Sequence, residues 1–308
     1  MSRRNIRNVA ASVHQRLLNF NRERGLDFTL VLTRYALERW LYRLGKSEFC
    51  DRFVLKGAML FTVWAKDPFR TTRDLDLLGF GSLTGEDLRH AFSGICQTNV
   101  EPDGLRFDDE NMTVEPIREG EEYQGQRVRL YARMNNIRIS LQIDVGMGDA
   151  LWPEPEMIHY PTLLDMPAPK IRAYRKETVV AEKLEAMVSL GELNSRMKDF
   201  FDVAVLADQL SFEGEDLQKA IEGTFRRRKT VVPSIMPVAF TKEFGGNHDK
   251  QTQWNAFLKR MGKEGRQMPF AGVVEGIREF LWPVLLAIST EEPFMKDWPS
   301  GGPWRSRE

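Results

Sequence analysis

From Arg138 to Asp144 every second residue is apolar: Ile139, Leu141 and Ile143 fall on one side, and Ser140, Gln142 and Asp144 on the other. A strand, whose side chains alternate between faces, turns that pattern into one buried and one open surface. The pattern therefore commits the middle of the chain to a sheet. Strand-like runs at 112–117, 126–133 and 137–145 agree, with Asn135-Asn136 as the turn between the last two. Upstream, Phe53-Val54-Leu55 is a short apolar burst, and residues 74–80 read as a strand stopped by Gly81 and Ser82.

The flanks follow a helical period. Residues 5–45 read as helical, with Asp27 placed to cap the run that carries Leu30, Leu32, Tyr35, Leu37, Trp40, Leu41 and Leu44, and with Gly45 as its stop. Helices are also predicted at 58–66, 86–96, 176–190 and 195–210. Five prolines between 152 and 169 predict a stiff, irregular connection, and the tail from Pro293 reads as irregular. The expected class is α+β. A helical segment at 1–45 packs on a core at 46–165, followed by a helical domain at 166–290 and an irregular tail at 291–308.

Composition removes several functions. The 308 residues contain 44 Lys plus Arg against 44 Asp plus Glu, so contact with a polyanion has to come from a local patch. Cys50 and Cys96 stand in unrelated contexts, which fits a reducing cytoplasm better than a disulfide framework. No apolar run follows the basic start and none approaches the length of a membrane span, so neither a signal peptide nor a membrane partner is expected. The four histidines lack metal-ligand spacing, and neither a G-x-S-x-G elbow nor a P-loop is present. What is left is carboxylate chemistry.

Asp74-Leu75-Asp76 lies on a predicted strand, so its two carboxylates share a face. Their repulsion is relieved by a hard cation such as magnesium; the competing reading is a solvated strand edge. Asp144, at the end of the polar face of its own strand, is the candidate third carboxylate of a metal cluster, and Asp149 the rival beyond two glycines. Lys56-Gly57-Ala58 follows a strand and opens a predicted helix, a place where free N–H groups can meet phosphate. Lys183 and Asp199 both fall inside apolar helical stripes. Either they serve a phosphate and its acceptor, or they simply pair with one another. The short connection at 191–194 predicts that they face each other across a hairpin, and both are expected to point at the D-x-D. On that reading Lys183→Met folds normally and loses nucleotide affinity. Arg226-Arg227-Arg228-Lys229 is a candidate RNA contact, or else a solvated helix end.

Taken in order, these residues resemble a known family. Phe53-Val54-Leu55-Lys56-Gly57-Ala58-Met59-Leu60 followed by Arg73-Asp74-Leu75-Asp76-Leu77 is similar to the first motif of the AbiEii/AbiGii nucleotidyltransferase toxins. Ile143-Asp144-Val145-Gly146 resembles their next strand. Residues 177–186 and 194–202 resemble their helical motifs. The likeness runs from about residue 8 to residue 230, with one departure, Ala58 where the family often has Ser. It implies a DNA polymerase β-like core, magnesium held by Asp74 and Asp76, nucleotide phosphates met by Lys183, and a requirement for Asp199 in transfer. With the local readings, Lys56, Gly57, Ala58, Arg73, Lys183 and Arg196 become the expected nucleotide-binding set. The expected catalytic set is Asp74, Asp76, Asp144, Lys183 and Asp199.

The function so implied is transfer of a nucleoside monophosphate from a nucleoside triphosphate to RNA, with the 3' end of tRNA as the favoured acceptor. Translation then stops, and a winged-helix antitoxin neutralises the toxin. Nucleotidylation of a protein side chain, and a nucleotide-binding partner protein without catalysis, are the alternatives.

Overall fold

The structure is a computed structural model, and it describes residues 8–64, 72–119, 123–149, 151–262 and 268–307. The chain forms two compact units, one of Met1–Gly148 with Glu156–Ala173, the other of Asp149–Pro155 with Tyr174–Glu308.

In the first unit, α1 (Val9–Arg24) and α2 (Phe28–Lys46) each start on a side-chain cap. Asn8 accepts from the Ala11 N–H, a cap the sequence reading did not name, and Asp27, the predicted cap, accepts from the Thr29 N–H at 2.8 Å. Gly45 is not the stop expected for α2, which runs on to Lys46. A Cβ at 45 would lie 2.3 Å from the Lys170 carbonyl oxygen, so the glycine is there to let two backbones touch. Helix α2 is buried nearly all round, which forces its charges to pair. Arg43 donates to Asp103 at 2.6 Å, with both side chains buried.

Among the described residues the sheet has the order β3-β4-β5-β2-β1-β7-β6. Its strands are β1 (Phe53–Lys56), β2 (Asp74–Gly79), β3 (Arg106–Glu119), β4 (Tyr123–Met134), β5 (Ile137–Met147), β6 (Glu156–His159) and β7 (Lys170–Ala173). Strands β2 and β5 run parallel, as do β1 and β7; the other neighbours are antiparallel. Ile139, Leu141, Ile143 and Val145 are buried, as are Val128, Leu130, Ala132 and Met134, so the alternation seen in the sequence is realised on two adjacent strands. Helix α2 packs against β5. Helix α4 (Gly85–Gln97), opened by a Thr84–Asp87 capping box, packs against β3. The proline-rich connection is less irregular than its composition suggests: β6 lies inside it, and β7 follows at once to complete the sheet.

The chain leaves β1 through a 3-10 turn at Gly57–Leu60 and then makes a single helical turn, α3 (Phe61–Trp64), rather than opening one helix at residue 58. The expected end of that helix, at Lys66, lies outside the described residues.

The second unit is mainly helical: α5 (Lys176–Leu190), α6 (Met197–Gln209), α7 (Gly214–Arg227), α8 (Lys242–Gly246), α9 (His248–Arg260) and α10 (Phe270–Ser289). Phe200, Phe244, Phe270 and Trp254 interlock at its centre. The tail expected to be irregular is built in. Strand β8 (Phe212–Glu213) pairs with β9 (Lys296–Trp298), and β9 with β10 (Arg305–Ser306). The Trp298 and Trp304 indoles donate to the carbonyls of Ala207 and Phe280.

Candidate active site

Five strands of the first unit contribute one residue each to a single row across the sheet. Lys56 of β1 is in register with Asp76 of β2, Asp76 with Asp144 of β5, Asp144 with Arg127 of β4, and Arg127 with Glu115 of β3. Residues paired in this way carry their side chains on the same face. The hydrophobic faces hold the register. Leu75 and Leu77 alternate with the two aspartates and are fully buried, so a slip of one residue would drive both carboxylates into the core. Asp74 stands one step along the same face, opposite Gln142, and is exposed, whereas Asp76 is half-buried.

Gly57 shapes the space beside Asp76. Its φ of 73° is left-handed, and a Cβ there would sit 2.1 Å from Asp76 Oδ2. The 56–58 turn therefore lies directly against the carboxylate, and only glycine allows it. Ala58, next in the turn, is buried, and Lys56 is half-buried. Arg73, exposed, reaches Asp27 at 3.7 Å.

Asp144 has a partner that the sequence alone did not suggest. Arg127 Nε and Nη2 donate to its two oxygens at 2.8 and 2.7 Å, a bidentate fork. Among the described residues no group of three or more His, Cys, Asp or Glu side chains stands gathered for a metal. Asp74 and Asp76 nevertheless fit a hard divalent cation: their oxygens are hard donors, they share a face, and Gly57 puts no side chain of its own against Asp76. Asp149 belongs to the second unit, where it accepts from the Tyr174 hydroxyl at 2.7 Å.

Lys183, Arg196 and Asp199 also lie in the second unit. Lys183 on α5 and Asp199 on α6 face each other, as helical phase predicts, with Nζ 2.8 Å from Oδ1. The same ammonium lies 2.8 Å from Asp202 Oδ2, and Arg196 Nε donates to Asp199 Oδ2 at 2.6 Å. Both carboxylates are almost wholly buried, and Lys183 is 14% exposed. Burial opposes the charge on Asp199, but Lys183 and Arg196 outweigh it and hold its carboxyl down at about 2. Asp202 was missed in the sequence, although its place three residues after Asp199, on the same helical face, was the available signal. Arg127 gave no such signal, because its partner is set by strand register. The basic cluster divides. Arg226 and Arg227 are exposed, but Arg228 donates to Glu185 at 2.7 Å and is thereby fastened to α5.

Residues 39–280 match the family described as the nucleotidyl transferase AbiEii toxin, type IV toxin–antitoxin system. The chain belongs to the AbiEii family. Family membership implies a nucleotide substrate and an antitoxin partner. Two solved structures share the fold. One is a Helicobacter pylori protein assigned as a nucleotidyltransferase, 15% identical, with a TM-score of 0.51 over 87% of this chain and 99% of its own. The other is JHP933 from Helicobacter pylori, 14% identical, with a TM-score of 0.51 over 86% and 97%. No curated protein matches this AbiEii-family chain. Among the described residues no helix is long and apolar enough to cross a membrane.

Proposed function

We propose that this AbiEii-family protein transfers a nucleoside monophosphate from a nucleoside triphosphate to an RNA hydroxyl, in the cytoplasm, with the 3' end of tRNA as the favoured acceptor. The observation that carries the reading is the shared face of Asp74 and Asp76, with Asp144 in register beside Asp76 and the Gly57 turn against it. In the reaction the acceptor oxygen forms a bond to the α-phosphorus, the bond from that phosphorus to the bridging oxygen breaks, and pyrophosphate leaves. The acceptor proton passes to a carboxylate or to water.

Asp74 and Asp76 would hold magnesium, which offsets phosphate charge in this chemistry. Asp144 is the proposed third carboxylate, oriented by the Arg127 fork. Lys56, in register with Asp76, adds positive charge beside these carboxylates, Arg73 is a further proposed phosphate contact, and the Gly57-Ala58 backbone lets a phosphate approach closely. Lys183 as a phosphate ligand, with Arg196 beside it, and Asp199 as a residue required for transfer enter through the family resemblance. In the 183–199–202 cluster two buried carboxylates hold the lysine in place, a pairing that the competing reading of the sequence also expects. A winged-helix protein is the proposed antitoxin.

The test is to incubate the protein with magnesium and each labelled nucleoside triphosphate in total RNA and in lysate. Label is expected in the transfer-RNA fraction, and Asp76→Asn is expected to lose on the order of a hundredfold or more in rate, as when a preorganised electrostatic contact is removed. Label in protein alone, or full activity in Asp76→Asn, would overturn the reading.

A further inference from the structure

The charged face of the sheet continues well beyond the carboxylates. Moving along β5 away from Asp144, the next rows are Thr113–Arg129–Gln142–Asp74, then Asp108–Tyr131–Ser140, then Arg106–Arg133–Arg138. The last row sets three arginines side by side on β3, β4 and β5, all exposed. Like charges directly opposite one another on a sheet repel. Asp108 answers the middle arginine, reaching Arg133 at 3.3 Å, and Arg138 lies over the Tyr131 ring, 3.5 Å from its centre. Arg129 is paired with Glu115 at 2.7 Å. In these three rows and the Glu115 pairing, four arginines thus stand against Asp74, Asp108 and Glu115, and the excess is gathered at the end far from Asp74.

We propose that this face of β3, β4 and β5 is the track on which the acceptor RNA strand lies, with its backbone on the Arg106–Arg133–Arg138 row, a base against Tyr131, and its reacting end toward Asp74 and Asp76. The proposal rests on the transfer reading above and adds the surface that holds the substrate. Charge complementarity selects the occupant. A polyanion relieves the repulsion of the arginine row, and guanidinium forks suit phosphate oxygens. The Arg138–Tyr131 stack offers the flat cation-and-ring surface on which unpaired bases settle whatever their sequence. Dimensions agree as well. Asp144 and Arg138 are six residues apart on one strand, about 20 Å at the rise of a β-strand, a span of a few nucleotides. Because the arginines meet backbone, the contact is blind to sequence, which suits a common acceptor end.

The experiment compares wild type with the Arg106→Ser, Arg133→Ser, Arg138→Ser triple variant and with Arg138→Ser alone, which keeps a test in hand should the triple fold poorly. The probes are a short fluorescent oligouridylate and bulk transfer RNA, titrated over a range of salt, with thermal melting and nucleoside-triphosphate binding as controls. The triple variant is expected to bind both RNAs at least tenfold more weakly at physiological salt. The slope of log affinity against log salt should fall by about two for the single strand, the value for three lost phosphate contacts. Triphosphate binding should be unchanged. Wild type that binds no RNA, a variant with an unchanged salt slope, or label passing to a protein acceptor with the arginines indifferent would each overturn the proposal. Arginine-dependent RNA binding without any nucleotide transfer would sink the transfer reading and leave the track standing.

Discussion

Lys183→Met separates what the sequence expects of this lysine from what its surroundings demand. Helical phase puts a charge in an apolar stripe, and removing such a charge ordinarily costs little or helps. Here the ammonium sits 2.8 Å from each of two buried carboxylates, Asp199 and Asp202. Removing one member of a buried ionic cluster costs about 3–5 kcal/mol, because the charges left behind stay out of water. Arg196 remains 2.6 Å from Asp199 and shares the load, so the low end, about 3 kcal/mol, is expected. For a unit of this size that lowers the melting temperature by roughly 10 °C. Differential scanning calorimetry of wild type, Lys183→Met and the double variant Lys183→Met, Asp202→Asn measures it. The double variant should regain a good part of the loss, since Asn keeps the shape and removes the stranded charge. Equal melting temperatures for wild type and Lys183→Met would refute the reasoning, and so would a double variant no better than the single. Nucleotide affinity is then best read in the double variant, where loss of binding no longer reflects a weakened fold.

Three further outcomes follow from single contacts. Gly57→Ala should abolish transfer, because its Cβ would land 2.1 Å from Asp76 Oδ2 at a left-handed φ; a rate assay beside a melting curve checks it, and an active Ala variant would overturn the close-approach account. Glu38 on α2 is pushed up to about 7 by burial, against the lowering pull of the Leu163 N–H and Arg39. A raised acid favours the folded state below its unfolded value near 4.5 and loses that contribution as pH rises to about 7. Glu38→Gln should therefore gain on wild type by roughly 3 kcal/mol between pH 4 and pH 8 in urea melts; a gap independent of pH would refute this. Arg228→Ala, which leaves the buried Glu185 carboxylate with the Thr230 hydroxyl but without its countercharge, should destabilise by about 3 kcal/mol, whereas Arg226→Ala and Arg227→Ala on the exposed side should each stay within about 0.5 kcal/mol by thermal denaturation.

How far the sequence could be read depended on whether a signal was local. The Asp27 cap, the limits of α5, the alternation on β5 and the Lys183–Asp199 pairing are written within a few residues or a few turns, and each was legible. Strand β6 was not, because four residues among prolines, with Ile158 alone buried, make no period. Gly45 looked like a stop because its reason lies 125 residues away at Lys170. Arg127 and Glu115 become neighbours of the carboxylates only through register, which no window of sequence contains. The D-x-D itself was plain, while the row around it was not.

That row has a bearing on when the protein becomes dangerous. Lys56, Asp76, Arg127 and Asp144 come from strands brought together in the order β4-β5-β2-β1, and the innermost pair, Asp76 and Asp144, lies 68 residues apart in sequence. Contacts so distant in sequence close late, after the loop entropy between them has been met. During synthesis the ribosome has to release β5 before the two aspartates can stand side by side. A member of this toxin family therefore lacks the assembled row for much of its own making, and a truncated product ending before β5 would carry the D-x-D but not the row around it.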